Sequence, residues 1–191
     1  MSKEFKNLKT AFNMLDALEK ELNSKKDLKR HTKIKDTFKQ NFDRLYTLAY
    51  YDLKFNLANT NKLVSDLDDP NVIANRLIFI DATRFFNQYS LGNTQPFTDF
   101  ENKIKSIIKR YKTKNLYICN NYLIILADKK IVKELYYDIK KMKTKSPFDF
   151  GITYIKYKKL RKTQKSFNLC LDRATKIFNG TEETGDEEND D

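Results

Sequence analysis

Two apolar runs flank a pair of asparagines in the stretch from Leu116 to Leu126, LYICNNYLIIL. Asparagine tolerates the left-handed backbone conformation that a tight turn requires. The stretch therefore predicts a β-hairpin with its turn at Asn120 and Asn121. A second apolar run at 76–81, RLIFID, is short and continuous and ends in an acid, which predicts a buried strand.

The spacing of apolar residues outside these strands alternates between helical and extended patterns. Helical spacing predicts helices over 99–109, 131–142 and 167–178, and Gly180 is placed to end the last one. Alternation predicts a strand over 148–157. The predicted order is helix, strand, helix, hairpin, helix, strand, helix. This order indicates an α+β fold with one mainly antiparallel sheet covered by helices.

The first 50 residues have a helical pattern that precedes this α+β region. Apolar residues recur at helical spacing in two stripes, which consist of Phe5, Leu8, Phe12, Leu15 and Leu22, and then of Ile34, Phe38, Phe42, Leu45 and Leu48. The pattern fits either a helical hairpin or one long helix that pairs with a second copy. We expect residues 2–50 to serve in packing or in dimerisation.

Charge is spread unevenly along a chain whose net charge is +11. Residues 101–165 carry 19 Lys and Arg against five Asp and Glu, whereas 181–191 carries seven acids and no base. The basic stretch predicts attraction to nucleic acid, nucleotides or anionic lipid, or simply a solvated lysine-rich face. Tyr154, Tyr157 and Phe167 lie among lysines and would suit a base-stacking platform. The acidic end is predicted to be disordered.

Several classes of protein are disfavoured by simple sequence features. The chain has no apolar run of 18 residues, and its first residues lack the apolar segment of a signal peptide. Cys119 and Cys170 are far apart and are expected to be reduced thiols in a cytoplasmic protein. His31 is the only histidine, so a histidine metal cluster is not expected, and we predict that it lies on the surface.

Five segments in the same order resemble the motifs of the GGDEF (diguanylate cyclase) domain. The segment 52–60 resembles the opening motif of that family through Asp52, Leu57 and Asn59, and 78–93 resembles its strand and turn through Asp81, Phe85 and Gly92. The hairpin at 116–126 fits the hairpin that carries the family signature, and 148–152 and 171–174 resemble the later strand and the closing helix.

The resemblance implies a palm-like fold with a βαββαβ core, preceded by N-terminal helices. It suggests three parts: a helical N-terminal segment at 1–47, a degenerate GGDEF-like domain at 48–180 and an acidic tail at 181–191. The signature itself is replaced. Cys119 and Asn120 stand where the family has two glycines, Asn121 and Tyr122 stand where it has two acids, and Leu123 follows.

The replaced signature implies that cyclase chemistry is lost. Glycines let the backbone approach the phosphates of GTP, and acids hold the divalent cations. Asp81 is kept, but its usual partner acid is Thr83. We therefore expect no catalytic residues, no cofactor and no metal, unless a residual metal site persists at Asp81.

A few residues are candidates for residual ligand binding. Arg110 stands at the arginine of the family's inhibitory RxxD motif for cyclic di-GMP, although Thr113 replaces the acid, and Asp81 and Asn59 complete the set. The first hypothesis is an inactive regulatory module that contacts a protein partner, dimerises through residues 2–50, or weakly binds cyclic di-GMP or GTP. The second is a nucleotide hydrolase of altered chemistry that uses Asp81. The third is a nucleic-acid-binding protein that uses the basic face at 101–165.

Overall fold

The structure is a computed structural model that describes residues 3–22, 24–72, 74–113, 116–145, 150–158 and 162–182. The predicted disorder of the acidic tail concerns residues that lie, from 183 onward, outside the described ranges. The chain divides into two compact units, Met1–Asn56 and Leu57–Asp191. The three-part division at residues 47 and 180 stays a prediction.

The first unit is a helical hairpin formed by α1 (Lys3–Glu19) and α2 (Lys25–Tyr50), followed by the short strand β1 (Tyr51–Asp52). Ser24 begins α2, because its Oγ accepts a hydrogen bond from the backbone N–H of Asp27 at 3.2 Å. Of the two arrangements that the apolar stripes allowed, the structure has the hairpin.

Contacts between α1 and α2 are both apolar and charged. The rings of Phe12 and Phe38 stack at 6.2 Å between centroids. Lys35 Nζ lies 2.5 Å from Asp16 Oδ1 and 2.7 Å from Glu19 Oε2. His31 is buried, so the prediction of a surface position was wrong. It lies one helical turn before Lys35, and therefore on the side of α2 that faces α1.

The strands of the second unit lie side by side in the order β2-β4-β5-β3-β6. The strands are β2 (Leu57–Ala58), β3 (Arg76–Asp81), β4 (Leu116–Cys119), β5 (Tyr122–Ala127) and β6 (Gly151–Lys156). The pair β2–β4 is parallel and the other three pairs are antiparallel. This confirms the predicted α+β fold with a mainly antiparallel sheet.

Five helices cover this sheet: α3 (Thr60–Asp68), α4 (Thr83–Ser90), α5 (Gln95–Arg110), α6 (Val132–Lys145) and α7 (Thr163–Phe178). The last three were predicted with shifted ends, whereas α3 and α4 were not predicted. Helix α3 contacts β4 and α7, and α6 contacts β3, β6 and α5. Gly180 has φ +71°, as expected for the residue that ends α7.

The core lies on both faces of the sheet, which is why β3 is apolar in nearly every position. Leu77, Ile78, Phe79 and Ile80 are all fully buried. The same burial removes the expected base-stacking platform, because Phe167 and Tyr157 are in the core and cannot present their rings to a ligand. The predicted strand over 148–157 begins at Gly151, and 148–149 lie outside the described residues.

No helix in the described ranges combines the length and the apolar character that are needed to cross a bilayer.

Candidate functional site

The ends of four strands bring the replaced signature next to Asp81. Asp81 is the last residue of β3 and pairs with Tyr122 at the start of β5 and with Gly151 at the start of β6. Cys119, the last residue of β4, also pairs with Tyr122. Directly paired residues of antiparallel strands point to the same face of a sheet. Cys119, Tyr122, Asp81 and Gly151 therefore form one row across it.

The turn between β4 and β5 has the predicted geometry. Asn120 adopts φ +52°, the left-handed conformation that asparagine accepts more readily than most residues. The backbone N–H of Ala82 donates to the carbonyl of Asn121 at 2.9 Å, so the turn is fixed to the end of β3. Leu123 follows Tyr122 on the strand, points to the opposite face and is fully buried.

The carboxylate of Asp81 accepts two hydrogen bonds from Thr83. The backbone N–H and the hydroxyl of Thr83 both donate to Asp81 Oδ1, at 3.0 and 2.6 Å. These hydrogen bonds stabilise the start of α4, where backbone N–H groups lack helical partners. Thr83 therefore gives Asp81 a local structural role.

An aromatic pair fills the space beside Asp81. The rings of Tyr122 and Phe178 stack at 5.4 Å between centroids with an angle of 25°, and the Tyr122 hydroxyl lies 3.2 Å from Thr175 Oγ1. A Cβ on Gly151 would lie 2.8 Å from two atoms of the Phe178 ring and 3.3 Å from Asp81 Cβ. Gly151 is thus the residue that lets the ring of Phe178 lie against β6.

Asn59 begins α3 and lies near the same ends of the strands. Its side chain accepts a hydrogen bond from the backbone N–H of Lys62 at 3.2 Å, as an N-cap residue does. Ala58 pairs with Tyr117 in the parallel pair, which places Asn59 and Thr60 toward the Cys119 end of β4. Burial raises the pKa of the Cys119 thiol, and a hydrogen bond with Thr60 opposes this shift.

Arg110 and Thr113 lie at the other end of β4, away from Asp81. Arg110 ends α5, is largely exposed, and places Nη2 3.3 Å from Asp138 Oδ2 on α6. The hydroxyl of Tyr111 donates to the same oxygen at 2.8 Å. This hydrogen bond is the main reason why the pKa of Asp138 lies below its usual value and that of Tyr111 above it. The sequence-predicted residues therefore form two separate groups.

A cavity of about 430 Å³ opens next to Thr113. Tyr111, Lys112 and Tyr117 line it together with Asp66 of α3. Tyr117 donates its hydroxyl to Asp66 Oδ2 at 2.6 Å, so a partly buried charge-assisted hydrogen bond holds part of the wall. Sequence reasoning missed this cavity, because residues from α3 and from the loop after α5 meet only in the folded chain.

Within the residues that the structure describes, no group of three His, Cys, Asp or Glu side chains is arranged to hold a metal ion.

Comparison with known proteins gives matches at the level of structure alone. No protein-family model matches the chain, and no curated protein matches it significantly. A structure of Vibrio cholerae LapD S helix-GGDEF-EAL bound to cyclic di-GMP matches with a TM-score of 0.54 and 14% identity, over 75% of this chain and 38% of that chain. The apo form of the same protein matches with a TM-score of 0.53 and 14% identity, over 73% of this chain and 36% of that chain.

A diguanylate cyclase/phosphodiesterase from Caldicellulosiruptor saccharolyticus matches with a TM-score of 0.49 and 15% identity, over 71% of this chain and 91% of that chain. This chain spans less than two fifths of the LapD chains that it matches. The sheet, the helices that cover it and the two LapD matches together show that the chain has a GGDEF-like fold.

Proposed function

We propose that this protein is a catalytically inactive GGDEF-like regulatory module of cyclic di-GMP signalling that works through contacts with a protein partner. In this proposal it makes no cyclic di-GMP and keeps at most weak affinity for cyclic di-GMP or GTP. Two free, buried thiols would suit the reducing cytoplasm. The hairpin of the first unit is the segment that we expect to mediate dimerisation or partner contact.

The observation that carries the proposal is the Tyr122–Phe178 pair. Two-metal phosphoryl chemistry needs anionic oxygen ligands and room for a triphosphate close to them. In this chain Asp81 accepts two hydrogen bonds from Thr83, and the ring of Phe178 lies over Gly151 beside it. Both features support a structural role for the strand ends at Asp81, where proteins of the family carry their signature.

Support for a dinucleotide ligand comes from the other end of β4. Arg110 is exposed at the end of α5, and its guanidinium can fork to a phosphate or stack on a base. A LapD structure with the same fold holds cyclic di-GMP. We propose that any residual dinucleotide affinity resides at Arg110 and Thr113, with Asp138 as the ion-pair partner that a phosphate would displace.

The absence of catalysis is tested by incubating the chain with GTP and Mg²⁺ and measuring both cyclic di-GMP and released phosphate. We expect neither product above the level without protein. Mg²⁺-dependent turnover that disappears in Asp81→Ala would overturn the proposal and support the hydrolase hypothesis. Asp36→Ala, which removes an exposed carboxylate from α2, is the matched control and should change nothing.

Ligand binding is tested by calorimetry with cyclic di-GMP and with GTP. Loss of a charge-assisted hydrogen bond to phosphate corresponds to about 1.5–3 kcal/mol, so Arg110→Ala should weaken binding of cyclic di-GMP by roughly tenfold or more. Arg44→Ala removes an exposed arginine from the first unit and should leave the affinity unchanged. Equal affinity in the wild type and Arg110→Ala would contradict a site at Arg110.

Binding of nucleic acid through the basic face at 101–165 is the remaining alternative, and two of the three aromatic residues that favoured it are buried. A steep fall of DNA or RNA affinity with salt, lost when Lys156 and Lys158 are changed to Gln, would support it instead.

A further inference from the structure

The cavity at Tyr117, which we call the α3 cavity, has no role in the proposed function beyond sharing Thr113 with the dinucleotide site. It lies at the end of the sheet opposite Asp81, because its lining includes residues just before β3 and β4 and just after β5, namely Ala74, Thr113 and Asp128. Its volume of about 430 Å³ is within the range of small-molecule sites, which is about 300–1,000 Å³. A cavity of this size can hold a small organic ligand.

One wall of the α3 cavity is held in place by a charged network. Lys62, Asp66 and Asp69 are four and three residues apart, so they lie on one side of α3 and its C-cap. Asp66 accepts a hydrogen bond from the Tyr117 hydroxyl through Oδ2 and forms an ion pair with Lys62 through Oδ1. The charges of Lys62 and Asp66 therefore offset each other. A wall that is already in place needs little reordering when a ligand binds.

Aromatic and aliphatic side chains make up much of the remaining lining. Tyr117 and Leu126 are buried, and Ile131 is half-buried. Tyr111 contributes a second ring, which is fixed by the hydrogen bond of its hydroxyl with Asp138. Tyrosine rings attract cations that lie within about 6 Å of the ring centroid, and aliphatic side chains suit a carbon chain. The lining therefore favours a ligand that combines a carbon chain with a positive charge.

Two carboxylates of the lining each have an oxygen that a ligand could engage. Asp69 Oδ1 accepts from the backbone and side-chain N–H groups of Asn71, both at 2.9 Å, and Asp128 Oδ1 accepts from the backbone N–H of Lys130 at 2.7 Å. In the described part of the chain, no hydrogen bond or ion pair engages the second oxygen of either residue. The hydrogen bonds from Asn71 hold the pKa of Asp69 below its usual value, so this carboxylate is ionised at neutral pH.

The balance of charge in the α3 cavity is opposite in sign to that of the whole chain, whose net charge is +11. With Lys62 and Asp66 paired, the charges that remain among the described lining residues are Asp69 and Asp128 against the exposed Lys112. A phosphate would be repelled by the two carboxylates, whereas a cation would be attracted. A metal ion is not expected, because the described residues hold no suitable group of three ligands. Charge and lining together favour an organic cation.

We propose that the α3 cavity binds a small organic cation, whose ammonium or guanidinium group donates to Asp128 and whose carbon chain lies against Tyr117 and Leu126. Asp128 is half-buried, whereas Asp69 is exposed and adds a second negative charge at the open side. Lys112 opposes binding as a like charge. This inference goes beyond the proposed function, because Asp69 and Asp128 take no part in dinucleotide binding at Arg110 or in contacts of the first unit.

The first experiment is calorimetry of the full chain with putrescine and with agmatine, which present ammonium and guanidinium groups on the same carbon chain. The neutral diol of the same chain length removes the charge, and succinate reverses it. We expect both cations to bind at roughly millimolar concentration or below, and neither the diol nor succinate to bind. This comparison identifies the charge of the ligand that the α3 cavity accepts.

The second experiment locates the bound cation with two substitutions of opposite effect. Asp128→Asn keeps an oxygen for the Lys130 N–H but removes the charge, and it should weaken agmatine binding by roughly tenfold or more. Lys112→Gln removes the like charge and should strengthen binding by roughly twofold to fivefold. Asp172→Asn changes an exposed carboxylate of α7 outside the lining, and as the matched control it should have no effect. Circular dichroism shows whether each variant keeps the fold.

A wild type that binds neither cation would overturn the inference. So would equal agmatine affinity in the wild type and Asp128→Asn, or binding of the neutral diol as tight as that of putrescine. Binding of succinate that Lys112→Gln weakens would show that the cavity accepts an anion, and would overturn it as well. Calorimetry of Asp128→Asn with cyclic di-GMP separates these outcomes from the proposed function, because any affinity at Arg110 should be unchanged in this variant.

Discussion

The Tyr122–Phe178 pair leads to a prediction about Gly151 that can be measured directly. An alanine at 151 would place its Cβ 2.8 Å from two ring atoms of Phe178, closer than carbon atoms approach without displacement. Gly151 does not have a positive φ, so the backbone itself accepts alanine. Any destabilisation by Gly151→Ala should therefore come from the ring and should vanish when the ring is removed.

The magnitude follows from two opposing effects. Overpacking a core by one methyl group costs about 1–3 kcal/mol, whereas replacing glycine by alanine in a strand gains about 0.5–1 kcal/mol. In the wild type, Gly151→Ala should thus lower the free energy of unfolding by roughly 0–2.5 kcal/mol. In the Phe178→Ala variant, the Gly151→Ala substitution should leave the free energy of unfolding unchanged or raise it. The coupling free energy between the two positions should be about 1–3 kcal/mol.

The measurement is a double-mutant cycle in urea. The four proteins are unfolded with circular dichroism as the signal, and native-state hydrogen exchange of the β6 amides reports on the second unit alone. This second signal matters because a chain of two units need not unfold in one step. If Gly151→Ala costs the same free energy with and without the Phe178 ring, the ring does not occupy the space above Gly151, and the main observation behind the proposed loss of catalysis is wrong.

Three further predictions concern the second unit. Tyr117→Phe should lower the free energy of unfolding by about 1.5–3 kcal/mol in urea, because it removes the hydrogen bond that Tyr117 donates to Asp66 Oδ2 while the ion pair of Asp66 with Lys62 remains, and an unchanged midpoint would contradict this. The pKa of Asp138 is lowered in the folded state, so the ionised carboxylate adds to the free energy of unfolding. This added stability is present above the unfolded pKa of about 3.9 and is lost as pH falls through the folded pKa. Between about pH 5 and pH 2 the wild type should therefore lose more stability than Tyr111→Phe does in parallel acid titrations. Burial raises the pKa of Cys170 to about 11, so a thiol reagent at pH 8 should modify it only after urea is added, and fast modification of the native protein would refute its burial.

Local signals predicted those parts of the fold that depend on neighbouring residues. The hairpin at Asn120 is set by an apolar run on each side and by one residue that accepts a positive φ. Strand β3 is a nearly continuous apolar run, and α7 ends at Phe178, two residues before Gly180. In each case the residues that specify the element lie within it or next to it.

Other features depend on contacts that no local pattern contains. Helices α3 and α4 have nine and eight residues, too short for a clear helical period, and α3 begins at the hydrogen bond from the Lys62 N–H to the Asn59 side chain. The contact of Phe178 with Gly151 joins residues 27 positions apart in sequence. The sequence identified Tyr122 as a departure from a family pattern, but not as a partner of Phe178.

The contact between Asp81 and Thr83 at the candidate site could not be predicted from a local sequence pattern either. The pattern identified the loss of the second acid, but not that the replacing hydroxyl would donate to the acid that remains. Likewise, the distance between Arg110 and Asp138 depends on how α5 and α6 pack.

The Tyr122–Phe178 pair also determines which side chains position 122 can accept. An acid at 122 would place a carboxylate against the ring of Phe178, whose face is electronegative, and would remove the neighbour of the Thr175 hydroxyl. An acid at this position should therefore lower the free energy of unfolding. The closing helix would have to change first, at Phe178, for the loop to follow. Packing therefore constrains the order in which substitutions at positions 122 and 178 can be accepted.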